Sequence, residues 1–213
     1  MNKYTISRAY QEEICLEKSR FICSLAKVQN EAEAQEFIRQ QKKRYWDATH
    51  NCSAYVIGKN SVAERSSDDG EPSGTAGLPM LMVLRRQELY DVVAVVTRYF
   101  GGIKLGAGGL ARAYAHSVTT ALKGAGLAQV VPMGIYSFTW ELTAVGKVLN
   151  LLYGQKLFTV DGVDYQARAV IRLRLEVQDK LAAESWLTEN LRHKIELKEE
   201  KCFGEEREIC ENS

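Results

Sequence analysis

The sequence contains no C-x-x-C motif and no apolar run long enough to span a membrane. The five cysteines are an odd count without close spacing, which argues against a disulfide framework and favours a reducing compartment. His50 and Cys52 lie close together but lack the further ligands that zinc needs, so we expect no metal. The first residues form no apolar signal core, and we therefore expect a cytoplasmic protein without a membrane partner.

An excess of charge of one sign is also absent. The net charge of +1 offers no global electrostatic argument for binding nucleic acid or membranes. With 46% hydrophobic and 26% charged residues, the composition is that of an ordinary globular protein. A length of 213 residues fits one large domain or two small ones.

Hydrophobic periodicity predicts alternating strands and helices in the first half. Asn30 with Glu33 three residues later is a helix-start signal, and the β-branched run Val92–Val96 indicates a strand buried on both faces. The predicted elements are a hairpin over Ile14–Leu25, a helix from Asn30 to about Trp46, a strand at Ser53–Ile57, a helix at Leu78–Leu89, a strand at Asp91–Tyr99 and a helix from about Gly108 to Lys123.

The pattern breaks around Gly126 to Gly134, which predicts domains at residues 1–130 and 131–213. The second half has the order strand, helix, strand, strand, helix, strand, which predicts a ferredoxin-like α+β domain. Its predicted features are a strand at Ile135–Leu142, a helix capped by Thr143, a strand at Leu157–Val160, a turn at Asp161-Gly162, a strand at Tyr165–Val177, a helix from Asp179, a last strand starting at Ile195–Leu197, and a frayed acidic tail containing Glu205, Glu206, Glu208 and Glu211.

Two glycine-rich loops carry the most functional information. The first contains the carboxylates Asp68, Asp69 and Glu71, and the second offers Arg98 and Lys104. Opposite charges favour their juxtaposition, so we expect Asp68–Gly77 and Arg98–Gly109 to lie side by side above strand Val92–Tyr99, with His50 close by. The two loops together contain eight glycines: Gly70, Gly74, Gly77, Gly101, Gly102, Gly106, Gly108 and Gly109.

Several interpretations of these loops stay open. The segment Gly101–Gly109 before a helix can bind an anion or form a tight packed turn, but it matches neither a P-loop nor a dinucleotide-binding motif. The three carboxylates can hold Mg²⁺, form a solvated turn, or pair with Arg98, Lys104 or Arg112. His50 is more often a structural group at such a position, although it is the best candidate base.

A second candidate surface lies in the second half. Arg168, Arg172 and Arg174 share one strand face and can follow a nucleic-acid backbone. Cross-strand pairing, with Glu176 or with Glu196 and Lys198 nearby, can equally neutralise that face.

The two loops closely resemble those of the YigZ/IMPACT family, and the match runs through most of residues 18–126. The resemblance rests on Asp68-Asp69-Gly70-Glu71-Pro72, Gly74-Thr75-Ala76-Gly77, Arg98-Tyr99-Phe100-Gly101-Gly102, Lys104-Leu105-Gly106 and Arg112-Ala113-Tyr114, with support from Lys18-Ser19-Arg20-Phe21 and Ala48-Thr49-His50-Asn51-Cys52. It implies a first domain with the fold shared by a small-subunit ribosomal protein and domain four of elongation factor G. The second half is similar to domain five of that factor.

For function the resemblance implies a link to translation. We therefore expect a non-enzymatic binding protein without a cofactor, whose partner is the ribosome, RNA or a translation-associated protein. The alternative is a Mg²⁺-dependent enzyme acting on a phosphorylated small molecule or nucleotide. The expected binding residues are Asp68, Asp69, Gly70, Glu71, Arg98, Tyr99, Gly101, Gly102, Lys104, Gly106, Gly108, Gly109, Arg112 and His50.

Overall fold

The structure is a computed structural model that describes residues 3–209, and it has the predicted α+β class with two separate sheets. By its internal contacts the described chain divides into two compact units. One unit comprises residues 3–129 with 206–209, and the other comprises residues 130–205. Independent folding of domains at 1–130 and 131–213 stays a prediction.

The first unit is a five-stranded sheet with helices on both faces. The sheet order is β2-β3-β6-β4-β5, and every pairing within it is antiparallel. The elements are β1 (Tyr4–Ile6), β2 (Tyr10–Leu16), β3 (Ser19–Lys27), α1 (Glu31–Arg44), β4 (His50–Ile57), β5 (Ala63–Ser67), α2 (Gly77–Arg86), β6 (Val92–Tyr99) and α3 (Gly106–Ala125).

The central strand β6 explains the layering of this unit. Its residues Val93 and Val95 pack with α1, because alternate side chains of a strand point to opposite faces. The intervening residues Val92, Ala94 and Val96 are also fully buried, on the face where α2 and α3 contact the sheet. Because β6 is buried on both faces, its sequence from Val92 to Val96 is a continuous apolar run without alternating polar residues.

Helix α1 begins where its cap residue predicts. The side chain of Asn30 accepts a hydrogen bond from the Glu33 amide at 3.0 Å, while Glu33 accepts one from the Gln29 amide at 2.8 Å. The helix ends at Arg44, however, and Trp46 is 82% exposed instead of continuing the apolar stripe.

The second unit has the predicted order of elements. They are β7 (Leu127–Trp140), α4 (Val145–Tyr153), β8 (Thr159–Tyr165), β9 (Ala169–Glu176), α5 (Lys180–Leu191) and β10 (Lys198–Ile209). The strand order β10-β7-β9-β8 is that of a ferredoxin-like sheet. The first three residues of β7, Leu127–Gln129, belong to the first unit and pair there with β1.

Strand β9 supplies the centre of this unit's core. Its alternate residues are buried against the apolar faces of α4 and α5, whereas the residues between them are half-buried. The buried members of the strand are Ala169, Ile171, Leu173 and Leu175.

The predicted turn at Asp161-Gly162 is wrong. These two residues lie within β8, where the register with β9 shifts between Val160 and Gly162, and the chain turns at residues 166–168 instead. β-Bulges and tight turns both use backbone conformations that glycine adopts easily. An Asp-Gly pair is therefore compatible with either structure.

Two further predictions need correction. Thr143 lies in a short 3-10 turn and does not cap α4, whose first turn has no side-chain cap. The division between the two units falls between Gln129 and Val130, inside strand β7. The acidic tail is part of β10 through Glu205, Glu206 and Glu208, and Glu211 lies outside the described residues.

Strand β4 begins at His50, three residues before the prediction. His50 therefore occupies a strand position facing Arg98 of β6 and not a loop position. Among residues 3–209, no helix combines the length and the apolar composition that a bilayer span requires.

Gly101 and Gly108 form a matched pair for testing the loop after β6. A Cβ at Gly101 would overlap the backbone of Lys18 in the β2–β3 turn, whereas a Cβ at Gly108 would meet nothing within 4 Å. We expect Gly101→Ala to lower the free energy of unfolding by about 2 kcal/mol or more. Gly108→Ala in helix α3 should instead raise it by up to about 1 kcal/mol. Urea unfolding of both variants checks this, and equal effects would contradict the close approach at Gly101.

Candidate functional site

The candidate site lies where β4 begins and β6 ends. In the sheet register, Arg98 of β6 is flanked by His50 of β4 and Phe21 of β3. Directly paired residues point to the same face, so all three side chains project towards α3. There the ring of Phe21 meets the ring of Tyr114 edge-on, with centroids 5.4 Å apart.

Asp68 shapes the loop that covers this end of the sheet. Its carboxylate accepts hydrogen bonds from the amides of Gly74 at 2.8 Å, Ala76 at 3.0 Å and Gly77 at 2.8 Å. Burial by itself would raise the pKa of Asp68, but these three amides outweigh it and hold that pKa below its ordinary value. The carboxylate therefore fixes the path of the loop into α2.

Glu71 and Arg98 form a buried ion pair at the centre of the site. Arg98 is 5% exposed and Glu71 8%, and the Arg98 Nη1 atom lies 2.6 Å from Glu71 Oε1. The hydroxyl of Tyr114 donates to the same carboxylate oxygen at 2.8 Å. The guanidinium lies between the rings of Phe21 and Phe100, 5.4 Å from each centroid. The Tyr114 hydroxyl and the two aromatic rings thus offset part of the loss of water around the ion pair, while the buried Arg98 Nε atom has no hydrogen-bond partner among the described residues.

His50 is oriented by the loop. Its Nδ1 atom lies 2.8 Å from the carbonyl oxygen of Asp69, so Nδ1 carries the hydrogen and donates it. The other ring nitrogen lies 3.9 Å from Glu71 Oε2. Gly70, with φ of 88°, turns the chain directly beside the His50 ring.

Cys52 is the one thiol in this network, and it is held neutral. Its Sγ atom lies 2.9 Å from the carbonyl oxygen of Asp68 and 3.3 Å from the hydroxyl of Tyr114. Burial raises the pKa of Cys52 to about 12. A neutral, buried thiol is a poor nucleophile, so the arrangement does not activate Cys52 for covalent chemistry.

The carboxylates of the acidic loop are engaged by protein donors. Asp69 accepts from Lys42 Nζ at 2.5 Å and from the Asn51 amide at 2.7 Å. Asp68 accepts hydrogen bonds from three backbone amides, and Glu71 accepts hydrogen bonds from Arg98 and Tyr114. A Mg²⁺ ion would have to displace these donors to gain oxygen ligands, so the carboxylate set does not favour the Mg²⁺-dependent alternative.

The structure thus brings Glu71, Arg98 and His50 together, but it separates the predicted cations. Arg98 forms its ion pair with Glu71 and is buried, whereas Lys104 and Arg112 are exposed. The Arg112 Nε atom donates to the Gly108 carbonyl of its own helix. The predicted glycines Gly102, Gly106 and Gly108 are exposed, and Gly109 is half-buried. Tyr99 points away from Arg98 and donates to Asp47 at 2.8 Å.

The predicted arginines of the second unit do not form a free basic face. Arg172 forms a two-pronged pair with Asp164 of β8, and the neighbouring guanidinium lowers the pKa of that aspartate. Arg174 pairs with Glu205 of β10. Arg168 is exposed in the turn between β8 and β9. Cross-strand pairing does neutralise the face, although through carboxylates other than those expected.

The outer face of α3 is a basic surface of which the sequence analysis predicted only Lys104 and Arg112. Arg112, His116 and Lys123 are exposed and recur at the spacing of one helix face, and Lys104 precedes them. None of the three Lys and Arg side chains forms an ion pair among residues 3–209. The sequence contains no Asp or Glu between Val92 and Trp140, a signal that could have revealed this surface. We call Lys104, Arg112, His116 and Lys123 the α3 basic stripe.

Comparisons with known proteins place the chain among close relatives. Residues 17–122 match the family described as the Impact N-terminal domain. The chain is 47% identical over 196 residues to the IMPACT family member YvyE of Bacillus subtilis, which covers 92% of this chain and 90% of that protein. It is 38% identical over 162 residues to the IMPACT family member YigZ of Escherichia coli, covering 75% and 79% of the two chains. A crystal structure described as that of a hypothetical protein aligns with a TM-score of 0.59 and 32% identity, over 93% of this chain and 97% of that one.

Breaking the buried ion pair by removing one partner should cost far more stability than breaking an exposed pair. We expect Glu71→Gln to lower the free energy of unfolding by about 3 kcal/mol, because Arg98 then keeps a buried charge without its counter-ion. The same substitution at Glu13, which pairs with Arg20 at the surface, should cost at most about 1 kcal/mol. Urea unfolding of the two variants measures the difference, and similar losses would refute the central role of the buried pair.

The depressed pKa of Asp68 gives its contribution a defined pH dependence. A carboxylate whose folded pKa lies below its unfolded value of about 3.9 stabilises fully above that value and loses its effect as pH falls through the folded pKa. We expect Asp68→Asn to cost about 1.5–3 kcal/mol at pH 7, and less as the pH falls below about 4. Urea unfolding between pH 7 and pH 3 checks this, with exposed Asp161→Asn as control. A loss independent of pH would show that the charge is not what stabilises the loop.

Proposed function

Because the chain belongs to the IMPACT family, we propose that it is a non-enzymatic, translation-associated binding protein that contacts RNA, the ribosome or a ribosome-bound partner. The resemblance of its two halves to modules of elongation factor G supports the link to translation. The proposed surface is the α3 basic stripe.

The α3 basic stripe is the observation that carries this proposal. The whole protein has a net charge of only +1, yet this surface carries several basic side chains. Neither α3 nor α2 contains an Asp or Glu residue. Helix α2, which packs against α3, adds the exposed Arg86. Unpaired Lys and Arg on one helix face are suited to phosphate groups, because each contact releases condensed counter-ions from the nucleic acid.

The buried network supports a binding role over a catalytic one. Cys52 is neutral, Glu71 is neutralised by Arg98, and His50 is fixed by a backbone carbonyl. A nucleophile needs a base within hydrogen-bond reach, and these groups hold the loop and the sheet together instead.

The proposal predicts a salt-dependent association with ribosomes. We expect the wild-type protein to co-sediment with ribosomes at low salt and to dissociate as salt rises. Removing two phosphate contacts with Arg112→Ala and Lys123→Ala should weaken binding and reduce the salt slope by about 1 for each contact. Lys156→Ala removes an exposed cation without an ion pair from the other unit and serves as the matched control.

Two results would contradict the proposal. The wild-type protein would fail to sediment with ribosomes even at low salt, or the control variant would lose as much binding as the double variant. The second result would show that the association follows overall charge and not the α3 basic stripe.

A further inference from the structure

Trp46 lies in solvent without a structural reason. At 82% exposed it is the most exposed large apolar side chain among residues 3–209, and it follows the end of α1 by two positions. Phe100, after the end of β6, is also 47% exposed. The exposed surface of Trp46 does not stabilise the fold, because it leaves apolar area in water, whereas the Phe100 ring also packs against the Arg98 guanidinium.

The segments that carry the two exposed aromatics are hydrogen-bonded to each other. The Thr49 amide donates to the Arg98 carbonyl at 2.9 Å, and the Phe100 amide donates to the Thr49 hydroxyl at 3.1 Å. The Tyr99 hydroxyl donates to Asp47, the residue after Trp46. The segments 45–49 and 98–100 therefore run side by side, and we call Tyr45, Trp46 and Tyr99 the aromatic platform.

Cations accompany the rings of the aromatic platform. The guanidinium of Arg44 lies over the Tyr45 ring at 5.2 Å, and that of Arg20, which also pairs with Glu13, lies over the Tyr99 ring at 5.3 Å. Helix α1 ends in Lys42, Lys43 and Arg44, of which Lys43 and Arg44 are exposed and have no ion pair among the described residues. The one carboxylate within segment 45–49, Asp47, accepts the Tyr99 hydroxyl.

This combination determines the chemistry of the occupant. Rings with arginine occur at protein–protein interfaces as well, but lysine is depleted there, whereas Lys42 and Lys43 lie in the last turn of α1 directly before these rings. Unpaired bases stack on aromatic side chains and on guanidinium planes, while the adjoining phosphates need cations. The rings of the platform suit the base of a nucleotide, and the cations beside them suit its phosphate.

We propose that the aromatic platform binds single-stranded RNA, with an unpaired base stacked on Trp46 and the neighbouring phosphates held by Lys43 and Arg44. This inference rests on the proposed function and assigns it a second contact, distinct from the α3 basic stripe. Hydrogen bonds hold the backbone of both segments in place, so the surface is formed before RNA arrives, which reduces the entropic cost of binding.

The test uses the full-length protein and a mixed-sequence oligoribonucleotide of about 12 nucleotides, a length within the range of single-strand binding sites. The same oligonucleotide annealed to its complement is the double-stranded probe. Fluorescence anisotropy gives the affinity, and tryptophan emission reports stacking. Trp140 and Trp186 are packed against the core of the second unit, so RNA-dependent quenching reports mainly on Trp46.

We expect Trp46→Ala to weaken single-strand binding about 5- to 150-fold and to abolish the quenching, whereas Trp46→Phe should retain part of the affinity. Leu181→Ala removes a 75% exposed apolar side chain from the other unit and should change nothing. Because Trp46 is exposed, urea unfolding should show that its variants are as stable as the wild type.

The outcomes separate this inference from the proposed function. If the protein sediments with ribosomes but single-stranded RNA neither binds nor quenches Trp46, the inference is overturned and the proposed function stands. If Trp46→Ala weakens ribosome association but not RNA binding, the platform serves a protein partner and the inference is wrong. If RNA quenches Trp46 but ribosomes do not bind, the platform stands and the ribosomal role fails.

Discussion

The buried ion pair between Glu71 and Arg98 is the constraint on which the first unit's functional end depends. Removing two charges from water costs several kcal/mol for each, and the cost is offset only if every partner is in place. Tyr114 must reach from α3, Phe21 must come from β3, and the loop after Asp68 must cross the end of β6. The pair therefore ties together a loop, a helix and the central strands, and Asp68 holds the loop in the shape that the pair requires.

Arginines of identical chemistry play opposite parts in this molecule. Arg98 lies in the interior, where its charge is neutralised and its role is structural. Arg112 lies on the surface of α3 without a counter-ion, where its charge is available to a partner. Arg172 and Arg174 are intermediate cases, since carboxylates on other strands of the same sheet engage them. The binding surfaces that we propose therefore consist of cations and aromatic rings that the fold leaves accessible: the α3 basic stripe and the aromatic platform.

The elements that sequence patterns predicted well are those whose local and tertiary preferences agree. Strand β6 was predicted because burial on both faces demands an unbroken apolar run, and α1 because Asn30 and Glu33 satisfy its first amides. The pattern failed where one local signal suits two structures. Asp161-Gly162 lies at a register shift within a strand instead of in a turn, and Trp46, to which the predicted helix extended, lies in solvent beyond the end of α1.

The sequence by itself determined the order of helices and strands, the two glycine-rich loops and the presence of opposite charges within them, because these features depend on residues close together in the chain. Only the tertiary structure decided which charges meet. Glu71 contacts Arg98, 27 residues away in the sequence, and Tyr114, 43 residues away. Neither separation predicts the contact. The same packing buried Arg98 and left Lys104, Arg112 and Trp46 in solvent. Burial and pairing are properties of surfaces brought together from distant segments, so local sequence patterns do not contain them.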